Sequence, residues 1–199
     1  MSEHYYSQKP SVESDRKTWT FQLRERNFTF QSDRGVFSKN EVDFGSRLLI
    51  ETFEAPAAEG NFLDVGCGYG PIGLSLAAEF PERLVEMVDI NERAIELSKS
   101  NAELNKLSNV QIYQSDIFEK IGGNRYAAIL TNPPIRAGKQ VVHEIFEESF
   151  KHLLPGGELW VVIQKKQGAP SAFEKLEELF GEAILAERKK GYHIIRAQK

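Results

Sequence analysis

Residues 62–80, "FLDVGCGYGPIGLSLAAEF", narrow the possible folds more than any other stretch of the 199-residue chain. An apolar run ends at Asp64, glycines alternate at Gly66, Gly68 and Gly70, and Pro71 opens a helix-like pattern. Glycine tolerates positive φ and lets a ligand approach bare backbone. Proline fits the first turn of a helix. The stretch therefore predicts a buried strand, a tight turn and a helix. The alternation continues: "RLVEMVD", "VQIYQSD", "YAAILTN" and "ELWVVIQ" read as strands. "NERAIELSKSNAELN" reads as a helix capped by Asn91. "VVHEIFEESFKHLL" is a helix with Ile145, Phe146, Ser149, Phe150 and Leu153 on one face, ended by "PGG". "PSAFEKLEELFG" is a last helix, and "AILAERKKGYHIIRAQ" a pair of strands whose Lys189 and Lys190 form a solvated turn. Strands alternating with helices imply an α/β fold around a mostly parallel sheet, and the closing hairpin implies an antiparallel edge.

Upstream of this unit, "TWTFQLRERNFTFQS" places Trp19, Phe21 and Leu23 on one side and Phe28 and Phe30 after a polar turn, which predicts a hairpin. "GVFSKNEVDFGS" reads as a loop and "SRLLIETF" as a helix. The expected organisation is an extension over residues 1–40, carrying the hairpin and packed on a main domain over residues 41–199.

No run of about 18 apolar residues is present, so no membrane-spanning helix is expected. The first residues, "MSEHYYSQKP", lack the apolar centre of a secretory signal. A single cysteine, Cys67, excludes an internal disulfide and suits a cytoplasmic chain. Four scattered histidines and one cysteine predict no metal site. The net charge of −4 argues against a broadly basic, non-specific nucleic-acid binder. Its distribution is uneven: residues 41–132 hold 7 Lys/Arg against 15 Asp/Glu, while each flank is net +2. That pattern suits a cationic small molecule in the middle and an anionic partner on the flanks.

Asp64, Asp89 and Asp116 close three successive strands, and strand carboxyl ends converge on one rim. Gly68, Gly70 and Gly73 satisfy the dinucleotide fingerprint, and Asp89 stands nineteen residues beyond Gly70, where an acid can hold ribose hydroxyls. A pyrophosphate is poorly matched to a carboxylate beside its glycine turn, and a dinucleotide needs a second mononucleotide unit. S-Adenosylmethionine has no phosphate, carries a sulfonium and an ammonium, and uses the same ribose anchor. With it, Gly66, Gly68 and Gly70 form the approach, Asp64 favours the cationic methionine end, Asp89 holds the ribose diol, and Asp116 meets the adenine amine.

"TNPPIRAGK" follows the apolar "YAAIL". An exocyclic amine is a poor nucleophile because its lone pair is delocalised. Fixed acceptors for its N–H groups aim that lone pair. Asn132 offers an amide oxygen and Pro133 a carbonyl, and the prolines stiffen both.

"LDVGCGYG", the strand-end acids and "NPP" together resemble a class I S-adenosylmethionine-dependent methyltransferase. The resemblance implies a Rossmann-like seven-stranded sheet of order 3-2-1-4-5-7-6, its seventh strand antiparallel, with helices on both faces. "GVFS" and "DFGSRLLI" with "NPPIRAGK" are similar to the ribosomal RNA small-subunit methyltransferase C family. That resemblance implies transfer to guanine N2 of ribosomal RNA, as RNA or within the small subunit, with Asn132, Pro133 and Pro134 as the catalytic motif. It implies that the segment from Gly35 to Ser38, with Phe37, lines the methionine end or covers the cofactor. Ile135 stands where related amino-methyltransferases commonly carry an aromatic that stacks on the base. Arg136, Lys139, Lys165 and Lys166 follow two rim strands and are candidate contacts to RNA phosphates. The alternatives are a protein glutamine-amide or nucleic-acid adenine-N6 methyltransferase, a non-catalytic cofactor-binding module, and a nicotinamide oxidoreductase. Longer members of the family carry a further N-terminal domain where this chain has a hairpin-sized segment.

Overall fold

The computed structural model describes residues 13–34, 36, 41–123 and 125–199. Its first element is the expected hairpin, β1 (Lys17–Leu23) and β2 (Arg26–Ser32), paired antiparallel from Lys17↔Ser32 to Leu23↔Arg26. Both turn residues have positive φ, 46° at Arg24 and 62° at Glu25, a geometry usually given to Asn or Gly. Anchoring compensates: the Arg24 backbone N–H donates to Glu51, and its guanidinium donates to the carbonyls of Ile50 and Phe53. The hairpin's inner side, Trp19, Phe21, Leu23, Phe28 and Phe30, packs into the main core.

The remaining strands are β3 (Asn61–Val65), β4 (Val85–Asp89), β5 (Val110–Gln114), β6 (Tyr126–Thr131), β7 (Leu153–Gln164), β8 (Ala183–Lys189) and β9 (Tyr192–Gln198). They form one sheet in the order β5-β4-β3-β6-β7-β9-β8. All its pairs are parallel except those of β9, which runs antiparallel to β7 and β8. Counted from β3, this is the expected 3-2-1-4-5-7-6. The strands bury both faces by parity. Phe62, Met87, Leu130, Trp160 and Val162 face α1 (Phe44–Thr52), α2 (Pro71–Glu79) and α3 (Glu92–Leu104). Leu63, Val65, Ile129, Val161 and Ile195 face α4 (Lys139–His152) and α5 (Ala169–Phe180). Every residue of β6 is buried, as expected for a central parallel strand.

Two boundaries differ from the sequence reading. α1 begins at Phe44, because Asp43 accepts from the Ser46 N–H and caps it. The "PGG" after α4 lies within β7, which starts at Leu153, opposite Tyr126. Gly157 is required there: a Cβ would lie 2.9 Å from the carbonyl oxygens of Leu154 and Tyr126.

Candidate active site

The carboxyl ends of β3, β4 and β6 open onto a cleft holding about 840 Å³ of non-protein space, part of it open to solvent. Its floor is Val65, Gly66 and Cys67 from the glycine turn. One wall is Val88, Asp89 and Ile90, continued by Ser115 and Ile117, and the other is Asn132, Pro133 and Pro134 with Asp43 and Ser46 of α1. This is the place where an open α/β sheet binds ligands, beside the position at which strand order reverses.

Asn132 is fixed from two directions. Below it, Thr131 Oγ1 donates to the Val65 carbonyl at 2.9 Å and ties the end of β6 to the end of β3. Above it, the amide Nδ2 donates to Ser46 Oγ at 3.0 Å and to Asp43 Oδ2 at 3.3 Å. A carboxylate only accepts, so Asp43 sets which end of the amide is the NH₂. Both Nδ2 hydrogens are then used, and among the described residues no donor of the chain meets Oδ1 of this cleft-lining residue. Pro134 gives its carbonyl to the Ala137 N–H at 2.9 Å, closing the short 3-10 turn Ile135–Ala137. Among the described residues the Pro133 carbonyl meets no donor of the chain. Two oxygens, separated by a rigid linkage, thus remain at the cleft wall.

The three acids do not share one role. Asp89 lines the cleft: Oδ2 accepts from Gly68 N–H at 2.9 Å and Oδ1 from Asn91 N–H at 2.8 Å. Its apolar surroundings push its carboxyl up to about 6, against the lowering effect of those two donors. Asp64 is fully buried and does not line the cleft. Its Oδ2 accepts from Gly73 N–H in the first turn of α2 at 2.9 Å, and among the described residues its Oδ1 has no partner. Burial pushes it up to about 7. Asp116 also lies off this cleft, with Phe118, Glu119, Glu144 and Glu148 around a neighbouring groove. The residues on either side of it, Ser115 and Ile117, reach the cleft instead.

Gly66 reaches the cleft and has φ 75°, and a Cβ there would meet nothing of the described residues within 4 Å. That open space over bare backbone and the Asp89 carboxylate fit a donor that carries a ribose, whereas Asp64, shut off from the cleft, holds the Gly73 N–H at the start of α2. Gly68 and Gly70 shape the turn without lining the cleft. Ile135 is half-buried, packs on the core cluster that faces α4 and α5, and is not among the residues lining the cleft. Arg136, Lys139, Lys165 and Lys166 are exposed. Phe37 lies outside the described residues. Asp43, Ser46, Ile90, Ser115 and Ile117 are wall residues that sequence reasoning did not assign. Asp43 and Ser46 stand in cap spacing within "DFGS", the one local signal that marks them.

A glycine turn at β3, an acid at the end of β4 and NPP at the end of β6, in a sheet of this order, define a class I S-adenosylmethionine-dependent methyltransferase. Residues 27–196 match the profile of the methyltransferase small domain, and the chain belongs to that family. A Bacillus subtilis protein, YbxB, itself described as uncharacterized, is 66% identical over 200 residues and is covered end to end. The ribosomal RNA small subunit methyltransferase C of Vibrio cholerae is 34% identical over 187 residues, which is 92% of this chain and 53% of that protein. The chain thus spans about half the length of that relative. A T. thermophilus 16S rRNA N2 methyltransferase, solved with AdoMet and guanosine, superposes with a TM-score of 0.82 at 27% identity, over 96% of this chain and 52% of that one. The methyl donor of this chain is S-adenosylmethionine.

Proposed function

We propose that the chain methylates the exocyclic N2 of a guanine in small-subunit ribosomal RNA. The observation that carries the proposal is the clamped Asn132 amide on the cleft wall, its NH₂ held by Asp43 and Ser46 and its oxygen without a donor among the described residues. Two relatives whose names specify ribosomal RNA methylation support the choice of base and RNA.

When bound, S-adenosylmethionine supplies an electrophilic methyl carbon. Of the cleft residues, Asp89 would accept from the ribose hydroxyls, Gly66 would give the donor room, and Ile90 and Ile117 would offer apolar surface to its adenine. Asn132 Oδ1 and the Pro133 carbonyl accept the two N–H groups of the guanine amine. That pair of hydrogen bonds favours a more tetrahedral nitrogen and turns its lone pair toward the methyl group. The work is positioning rather than proton transfer, and the alkylated nitrogen is acidic enough to release its proton to water.

Incubation with tritiated donor and separate pools of small ribosomal subunits, bulk ribosomal RNA, transfer RNA and protein tests this directly. Label in N2-methylguanosine from the small subunit or its RNA is the expected result. Label confined to protein would move the assignment to a glutamine amide, and label on adenine would move it to N6.

A further inference from the structure

We propose that the basic half of the sheet rim, from the amino end of α1 to the β8–β9 turn, is the track for the single RNA strand that flanks the target base. This rests on the RNA reading above and adds the surface that holds the strand.

The rim divides by charge. Asp89 and the glycine turn occupy the carboxyl ends of β4 and β3. The carboxyl ends of β7 and β8 carry Lys165, Lys166 and Lys189, and Lys190 follows in the turn. These two lysine pairs are far apart in sequence, yet the fold joins them: the Lys165 N–H donates to the Gly191 carbonyl at 2.8 Å. All four lysines are exposed, and among the described residues none is in an ion pair. The nearest acid in sequence, Glu187 on β8, accepts from its neighbour's backbone, the Arg188 N–H.

The "KKG" turn is therefore more than a solvated bend. Lys190 Nζ sits 5.0 Å from the centre of the Phe44 ring, and Arg47 Cζ sits 5.3 Å from the same ring. Phe44 in turn packs on Tyr192, ring centres 5.4 Å apart. Long cationic side chains lose rotamer freedom when they bind a phosphate, and a ring that already holds them reduces that loss. Phe44 is also the residue after Asp43, which clamps Asn132, so the patch begins one residue from the reaction site. A base delivered to that cleft must leave its stack, and its neighbours on the strand need charge nearby to hold them. Exposed lysines beside an aromatic pair are the composition of a single-strand track.

The test is fluorescence anisotropy with a short, fluorescein-labelled, guanine-containing single-stranded RNA, titrated at several salt concentrations. A variant carrying Lys165→Gln, Lys166→Gln, Lys189→Gln and Lys190→Gln is expected to bind at least about tenfold more weakly. Its log K against log salt should flatten by about 0.7 for each phosphate that is no longer neutralised. Calorimetric affinity for S-adenosylmethionine should stay at the wild-type value, which shows the variant is folded. Phe44→Leu, with no change of charge, should weaken RNA binding by a smaller factor. Wild-type affinity and slope in the lysine variant would overturn the track, while transfer of label to RNA by the wild type would leave the functional reading standing. A wild type that labels protein alone would remove both.

Discussion

Asp89 carries the main electrostatic consequence of the site. Its carboxyl stands at about 6, so the free protein holds it protonated well below that pH and ionised above it. A ribose diol needs the ionised acceptor, and the cationic donor favours it. Donor affinity should therefore rise as pH climbs through 6 and change little beyond about 7, falling about tenfold per unit below 6. Calorimetry from pH 5 to 8 reads this. Asp89→Asn should lose the step near 6, and a flat wild-type profile would contradict the assignment. Stability without donor runs the other way. Asp64 and Asp89 bind their protons more tightly folded than unfolded, so their contribution is complete below about pH 4 and is lost as pH rises through 6 and 7. The sequence placed both acids at strand ends, and Asp89 does line the cleft. It could not show that Asp64 turns into α2, because direction depends on the pleat parity of a residue one short of the strand's end. Asp116 stands two residues past β5, where the bend and not the strand sets its direction.

At the scale of elements, the hairpin is joined to the main sheet's helices by side-chain amides acting as extra strand edges. Asn101 of α3 accepts from Gln31 N–H at 2.7 Å and donates to the Gln31 and Tyr69 carbonyls at 2.9 and 2.8 Å. Asn105, one helical turn on, pairs the same way with Thr29. Asn101 is fully buried, so Asn101→Ala strands three backbone groups. The expected loss is about 2–4 kcal/mol in urea denaturation, from roughly 1–3 kcal/mol for each unsatisfied buried group and partial replacement by water. A loss under about 0.5 kcal/mol would mean the apolar side alone holds the hairpin. Alternation revealed the hairpin's strands and its inner face in advance. Its partner was not legible, since an Asn inside a helix looks polar and solvated until the β2 edge is laid against it.

Over the whole molecule, the uneven charge read from the sequence acquires a location. The acidic middle of the chain supplies the donor side of one rim, and the basic C-terminal flank supplies the other side through β7, β8 and β9. Strand alternation was enough to read a mostly parallel sheet with an antiparallel edge, while its order was implied only by the resemblance to class I methyltransferases and is the order observed. The α1 residues that clamp Asn132 were hidden because they lie 86 and 89 positions away, and only folding brings them to the β6 end. The central claim is that Asn132 acts on the incoming nitrogen and not on the donor. Paired measurement of donor affinity and single-turnover rate in Asn132→Ala tests it most directly. Donor affinity is expected within about twofold of wild type and the rate at least about a hundredfold lower, the size seen when one preorganised hydrogen-bonding group is removed. An undiminished rate, or a rate that falls only in step with weakened donor binding, would contradict it.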